Sequence, residues 1–272
     1  MRYSAAILIL LASSGALFAQ DAGERVNVPL TDPSRPARIH VNLLMGSIVV
    51  HGADVRDVLV ETRPKGHDEV HEPPPPPNAA GMHRLGGGSP GLDIVEQDNL
   101  VTIKVSGLAA VRHEDLVLTV PRHSSLQLKT ITDGDIYVEQ TDGEIDADAL
   151  NGKITLKNVS GAVVAHSLNG AISATLDQVD STKPMSFSTL NGDIDVTLPD
   201  NARATLHMKT DNGEIYSDFD VKLESGSHTI SNSGPGSHRI RVDHTLRGTI
   251  NGGGPDYQFT TFNGQIFIRK RK

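Results

Sequence analysis

The stretch ADALNGKITLKNVSGAVVAHSLNGAISATL, residues 147–176, says nearly the same thing twice. Asn-Gly occurs at 151–152 and again at 169–170, Gly161 stands midway, and Ile154, Val163 and Ile172 each follow a glycine by two residues. Outward from this stretch, Gly-x-Ile/Val recurs at glycines 46, 134, 143, 152, 161, 170, 192, 213, 248 and 264, and from 134 to 170 the interval is nine residues every time. A spacing held over four steps marks an internal repeat, the signature of a stacked architecture.

The nines alternate in kind. Gly134, Gly152, Gly170, Gly192, Gly213 and Gly264 follow Asn or Asp, as in TDGDIYV, LNGKITL and FNGQIFI, whereas Gly143 and Gly161 belong to looser half-period units. The full unit is therefore 18 residues, stretching to 22 and 21 in the next two intervals. Ile136 and Val138, Ile154 and Leu156, Ile194 and Val196, and Ile266 and Ile268 occupy alternate positions, the period of two that turns one face of a strand inward. Helical spacing is nowhere sustained after residue 20. Asn-Gly and Asp-Gly supply the positive φ of tight corners.

These features predict an all-β, single-domain β-solenoid, a β-helix-like stack of short strands with a coil period of 18 to 22 residues. The predicted corner residues are Gly134, Gly143, Asn151, Gly152, Gly161, Asn169, Gly170, Asn191, Gly192, Asn212, Gly213, Asn263 and Gly264. A series of antiparallel hairpins competes with this reading, because Asn-Gly is also a two-residue hairpin signal. The recurrence of Leu150, Leu168 and Leu190 beside Asn151, Asn169 and Asn191 favours stacking. Stacked coils place like over like about 4.8 Å apart, as apolar ladders inside and amide ladders at corners. The spacing leaves open whether the glycines are corners, bulges or buried, since in one continuous strand Leu150, Gly152, Ile154 and Leu156 share a face.

The first residues, MRYSAAILILLASSGALFAQ, read as a signal peptide over 1–19: Arg2 is the positive start, and the apolar run is shorter than the roughly 20 residues that span a bilayer. The expected product is exported, to the periplasm, the outer surface or the medium, with no membrane span after cleavage. The chain has no cysteine, which leaves no lipid attachment point and no disulfide. Residues 1–19 contain one of the 25 Lys and Arg and none of the 33 Asp and Glu, so cleavage moves the net charge from -8 to -9. That balance disfavours nucleic acid and anionic lipid as partners. The basic run Arg269 to Lys272 reads as a solubilising end cap.

Residues 20–35 form a lead segment and 36–272 the repeat domain, interrupted at 63–91 by a loop whose five consecutive prolines favour polyproline II. The Gly, Ser and Pro-rich region 224–257 predicts turns and a closing sheet, and YQFTTFNGQIFIRK a last strand pair that caps the stack.

The succession DLVLTVPRHSSLQLKTITDGDIYVEQTDGEIDADALNGKI, then VTLPDNARATLHMKTDNGEIYSDF, then GTINGGGPDYQFTTFNGQIFIRK resembles the bacterial putative-adhesin family of β-strand-repeat domains. The family pairs a VP or LP strand end with repeated T-x-x-G-x-I units and a glycine-rich turn before a final NG-x-I. The resemblance covers roughly residues 36–272. It implies a secreted or periplasmic β-solenoid without assigned catalysis, and it brings no functional residues with it.

Three chemistries are weighed in the residues. Asp133, Asp135, Glu139, Asp142, Glu144, Asp146 and Asp148 form an acid-rich stretch that could hold calcium, yet the paired-glycine calcium nonapeptide is absent and Asp is a common turn former. His67, His71 and His83 lie in the proline-rich loop, where the prolines deny the helix that H-x-x-x-H ligation needs. Asp146 with Asp148, or Asp193 with Asp195, could pair for glycan chemistry, but Trp is absent and Tyr numbers 4, so sugar platforms are scarce. The expectation is an exported, non-catalytic adhesin or cell-envelope scaffold with no cofactor, binding a protein or envelope partner and open to end-to-end self-association. Its outward positions include Lys153, Thr155, Asp193, Asp195 and Tyr216. The alternatives are a carbohydrate-active enzyme on a β-helix and a calcium-binding envelope protein.

Overall fold

The computed structural model describes residues 25–64, 91–106, 114–224, 228–232, 238–242 and 245–272. The segment expected to be a signal peptide, residues 65–90 of the proline-rich loop, and the three histidines within that loop lie outside the described residues.

Each 18-residue unit becomes two strands, one in each of two sheets. The strands of the first part are β1 (Arg25–Val28), β2 (Ala37–Met45), β3 (Ile48–Ala53), β4 (Val58–Pro64), β5 (Gly91–Gln97), β6 (Leu100–Ser106) and β7 (Glu114–Pro121). The repeat region gives β8 (Ser124–Thr132), β9 (Ile136–Glu139), β10 (Ile145–Ala149), β11 (Ile154–Gly161), β12 (Val163–Asn169), β13 (Ile172–Val179), β14 (Met185–Asn191) and β15 (Ile194–Leu198). After these come β16 (Ala204–Asn212), β17 (Ile215–Ser217), β18 (Lys222–Leu223), β19 (His228–Asn232), β20 (His238–Val242), β21 (Leu246–Ile250), β22 (Asp256–Asn263) and β23 (Ile266–Lys270). β19 and β20 pair only with each other.

Sheet A runs β1-β4-β7-β3-β9-β11-β13-β15-β23-β17, and sheet B runs β18-β21-β16-β22-β14-β12-β10-β8-β2-β6-β5. From β9 to β15 and from β8 to β14 neighbours are parallel, which decides for stacked coils over hairpins. Inward side chains of both sheets join one buried core.

The isoleucines after the repeat glycines explain the opening pattern. Register places Leu116, Ile48, Ile136, Ile154, Ile172, Ile194, Ile266 and Ile215 in one row across sheet A, and all but Ile215 are fully buried. At roughly 1.5–3 kcal/mol per buried aliphatic side chain, this row is a principal stabilising element.

Spatial order departs from chain order at both ends. The coil β2–β3 sits between β6–β7 and β8–β9, and the last coil, β22–β23, sits between β14–β15 and β16–β17. The C-terminal strand pair is thus a wedge inside the stack, where its sequence suggested a cap. Antiparallel strands finish the ends: β1, β4 and β5 at one, β21 and β18 at the other. These additions interrupt the repeating parallel edge. β5 and β6 form a hairpin around Asp98 and Asn99, whose φ of 51° and 62° suit a type I′ turn. The buried Asn99 side chain then clasps the lead segment, accepting from Asp32 N at 2.8 Å and donating to Asp32 O at 2.6 Å.

Candidate functional site

The corners come first, because they hold the faces in register. Asn151 and Gly152 join β10 to β11, Gly134 precedes β9, Gly143 precedes β10, and Gly161 ends β11 with φ of 105°. Asn169, Asn191, Asn212 and Asn263 end β12, β14, β16 and β22, each followed by its glycine, Gly170, Gly192, Gly213 or Gly264.

Close approach, rather than left-handed φ, fixes most of these glycines. A Cβ on Gly152 would meet the Gly134 carbonyl oxygen at 1.9 Å, and one on Gly170 the Gly152 oxygen at 2.0 Å. The positive φ expected from Asn-Gly is not found at Gly134, Gly152, Gly170 or Gly213. Gly152 is both a corner and buried, which resolves its sequence ambiguity.

A hydroxyl three residues before the corner glycine, or four at Thr130, donates to the glycine carbonyl of the neighbouring coil: Thr130 to Gly46, Ser167 to Gly152, Thr189 to Gly170, Thr261 to Gly192 and Thr210 to Gly264, at 2.9 to 3.0 Å. Outside them runs an amide ladder, Asn151, Asn169, Asn191, Asn263 and Asn212, with Nδ2 to Oδ1 distances of 2.7 to 2.8 Å. The leucines of the same units face out, with Leu150 39% and Leu190 43% exposed, so they are not part of the inner ladder.

The outer face of sheet B carries two rows of mostly polar side chains. Thr102, His40, Gln127, Asp146, Val164, Ser186, Gln258 and His207 form one in register. Lys104, Asn42, Lys129, Asp148, His166, Ser188, Thr260 and Lys209 form the other. Eight strands about 4.8 Å apart make each row about 34 Å long.

Two hollows indent this face. One of about 500 Å³ is lined by His40, Asn42, Thr102, Lys104 and Gln127 and reaches Lys129 and Asp148. The other, of about 490 Å³, lies beside it under Lys183 and Pro184 and reaches Arg38 and Glu144. Lys183 reaches over to pair with Glu144. Lys129 bonds Asp148 at 2.9 Å, and His166 approaches the same carboxylate at 3.3 Å. Burial raises the Asp148 pKa, but the hydrogen bonds from Lys129 and His166 outweigh it, so the carboxyl is held below its ordinary value.

Residues 123–251 match the family model described as Toastrack DUF4097. That span is similar to Toastrack domains. No curated protein matches the chain. Among solved structures, a putative cell adhesion protein from Clostridium sporogenes ATCC 15579 is similar, at 10% identity and a TM-score of 0.41, over 92% of this chain and 100% of that one. A putative adhesin from Bacteroides fragilis NCTC 9343 is 11% identical with a TM-score of 0.41, over 93% of this chain and 98% of that one.

The Toastrack match starts one residue before β8 and ends one residue after β21, so it takes in sheet B strands of the face but excludes β2, β6 and β22. Within the matched span the acid-rich stretch is dispersed. Asp135 accepts Lys153 N at 2.8 Å; Glu139, on sheet A, takes Tyr137 Oη and His51 Nδ1 at 2.7 Å; Asp142 takes His123; Glu144 and Asp148 take their lysines on sheet B. Among the described residues no three His, Cys, Asp or Glu side chains gather where a metal ion could sit.

The proposed glycan-chemistry pairs are also separated in role. Asp148 is bound to Lys129 and His166, while Asp193 accepts Gln265 N at 2.8 Å and Asp195 accepts Arg269 at 2.8 Å. The outward residues Thr155, Asp195 and Tyr216 lie on sheet A, with Tyr216 stacked on Phe267 at 5.3 Å, and Lys153 and Asp193 lie at its corners. The basic end run does more than solubilise: Arg269 pairs with Asp195 and Arg271 with Asp177. No helix among the described residues is long and apolar enough to cross a membrane.

Sequence reading did not reach His40, Asn42, Lys104 and Gln127. They come from three strands, and only the placement of β2 between β6 and β8 makes them neighbours. The alternation of Arg38, His40 and Asn42 in ARIHVNLLM was the available signal for an outward face.

Proposed function

We propose that the chain is an exported, non-catalytic, adhesin-like scaffold of the cell envelope, and that the outer face of sheet B is its contact surface. The observation that carries this reading is the pair of side-chain rows along that face, indented by two hollows and walled by Lys183 and Pro184. A rigid sheet holds the rows at fixed spacing, so contact with an extended partner requires little ordering of the protein. The face mixes Lys104, Lys129 and Lys209 with Asp146 and Asp148, which suits recognition of polar groups rather than burial of apolar ones.

The test is binding of fluorescently labelled residues 20–272 to isolated bacterial envelope, with one bulky charge placed on each sheet. Val164 is 46% exposed on the face, and Val164→Arg should remove most binding. Ser173→Arg, on the outer face of sheet A, should leave it unchanged. Equal loss from both variants, or no envelope binding by the parent chain, contradicts the reading.

A further inference from the structure

We propose that the hollow between β6, β2 and β8 binds an acidic oligosaccharide, a polyhydroxylated chain bearing carboxylates on some of its sugars. The inference rests on the reading of sheet B as the contact face and adds the ligand class.

The first support is what the side chains there leave undone. His40, Asn42, Lys104 and Gln127 line the hollow, and none of these side chains has a hydrogen bond or ion pair with another of the described residues. On the same two sheets, Lys129, Lys183, Arg269 and Arg271 each pair with a carboxylate from another coil. Lys104 stands opposite Asp93 in register but forms no ion pair among the described residues, and lies two strands from Lys129. A cation without a partner, beside two amides and an imidazole, meets an anionic ligand with hydrogen-bonding neighbours.

The second support is what the hollow excludes. β2, β6 and β8 are paired on both sides, so no free strand edge is offered to an extended peptide. The row is polar from Thr102 to Asp146, with the exposed Val164 beyond it at one end and Val95 of β5 at the other, so within the hollow apolar anchors find little to bury. Asn42 and Gln127 each present a donor and an acceptor, which matches vicinal hydroxyls. Asp146 and Asp148 line the far side of the same hollow, on β10, three strands or about 14 Å from β6 by strand spacing. A carboxylate there would be repelled, so the favoured chain carries its acid groups at intervals, with neutral sugars between.

The probe is a hyaluronan hexasaccharide, which alternates uronate and N-acetyl sugars, compared by calorimetry and NMR shift mapping with a neutral chitohexaose. The parent chain should prefer hyaluronan by about tenfold, the scale of one charge-assisted contact. Lys104→Gln should erase that preference, Asn42→Ala should weaken both probes alike, and Lys157→Gln, on sheet A, should change neither.

Equal affinity for the two probes, absence of hyaluronan binding, or shifts mapping to sheet A would overturn the proposal. Tighter binding of a heparin hexasaccharide that ignores Lys104→Gln would overturn it too, as general ion exchange. Envelope binding separates this failure from that of the scaffold reading. If binding stays sensitive to Val164→Arg while hyaluronan fails, the face stands and the ligand class falls; if hyaluronan binds and envelope does not, the ligand class stands and the envelope role falls.

Discussion

Asn191 lies directly over Asn169, 22 residues earlier in the chain, and donates Nδ2 to its Oδ1 at 2.8 Å; Asn169 passes the same bond on to Asn151. Each inner amide of the ladder, Asn169, Asn191 and Asn263, is donor to one neighbour and acceptor from the next. Asn169→Ala removes two rungs and should cost about 1–2 kcal/mol. Asn169→Asp should cost at least as much, because a carboxylate cannot donate to Asn151 Oδ1. Urea denaturation of the three proteins checks both.

The glycine beneath that ladder is less forgiving. Gly152→Ala drives a methyl into the Gly134 backbone, where no side chain can swing aside, and should cost more than about 3 kcal/mol or abolish folding. Gly252→Ala is the contrast. Its nearest neighbour is Arg203 at 3.5 Å and its φ is 88°, so only backbone strain of about 1–2 kcal/mol is expected. Equal losses at the two sites would contradict the close-approach explanation.

One rung of the hydroxyl series is missing. Ala149 stands in register between Thr130 and Ser167, three residues before Gly152, where it offers nothing to the Gly134 carbonyl. Ala149→Ser should supply that bond and raise stability by about 0.5–1.5 kcal/mol. A loss of stability would mean that the site has no room for the oxygen.

Tyr257 places its hydroxyl in the core without a partner, and burial, with a smaller push from Asp180, raises its pKa to about 12. Tyr257→Phe keeps the ring between Met185 and Leu206 and removes the unsatisfied oxygen. The expected change is from neutral to about 1 kcal/mol more stable, measured as an unchanged or raised Tm.

Acid should loosen the stack through two carboxyls. The Tyr137 hydroxyl, then His51, hold Glu139 below its ordinary pKa, and Asp148 is held down by Lys129 and His166 against its burial. A depressed folded pKa gives stability that is present above the unfolded value and lost as pH falls through the folded one. Tm should therefore decline below about pH 4, and Glu139→Gln should flatten part of that decline.

The coil architecture was legible in the sequence because each repeat is local: the glycine, the isoleucine two residues on and the Asn before the corner all sit within one unit. Spacing even anticipated the amide ladder. It could not assign the leucines, since the corner resets the alternation: Leu150 and Leu190 follow the inward Ala149 and Thr189 of the preceding strands and so face outward. Nor could it explain the glycines, because the clash at Gly152 is with a residue one coil away.

The candidate site was hidden for a different reason. A sequential stack would set β6–β7 directly beside β8–β9, and Lys104 would never meet Asn42 between them. The clue lies outside the repeat, in the Asp98–Asn99 turn and the Asn99 clasp on Asp32, which tie the hairpin to the lead segment. Neither resembles the repeating unit, so periodicity gave it no place.

The account depends most on β2 lying between β6 and β8, since that order builds the hollow. Disulfide trapping tests it in a chain with no cysteine of its own. Arg38 faces Ser125 in register, and Leu100 faces Arg38 from the other side, so Leu100 and Ser125 are about 9.6 Å apart. A bridge needs Cα atoms within about 7 Å. The Arg38→Cys/Ser125→Cys variant should oxidise to an intramolecular disulfide and the Leu100→Cys/Ser125→Cys variant should not; ready oxidation of the second and failure of the first would contradict the account.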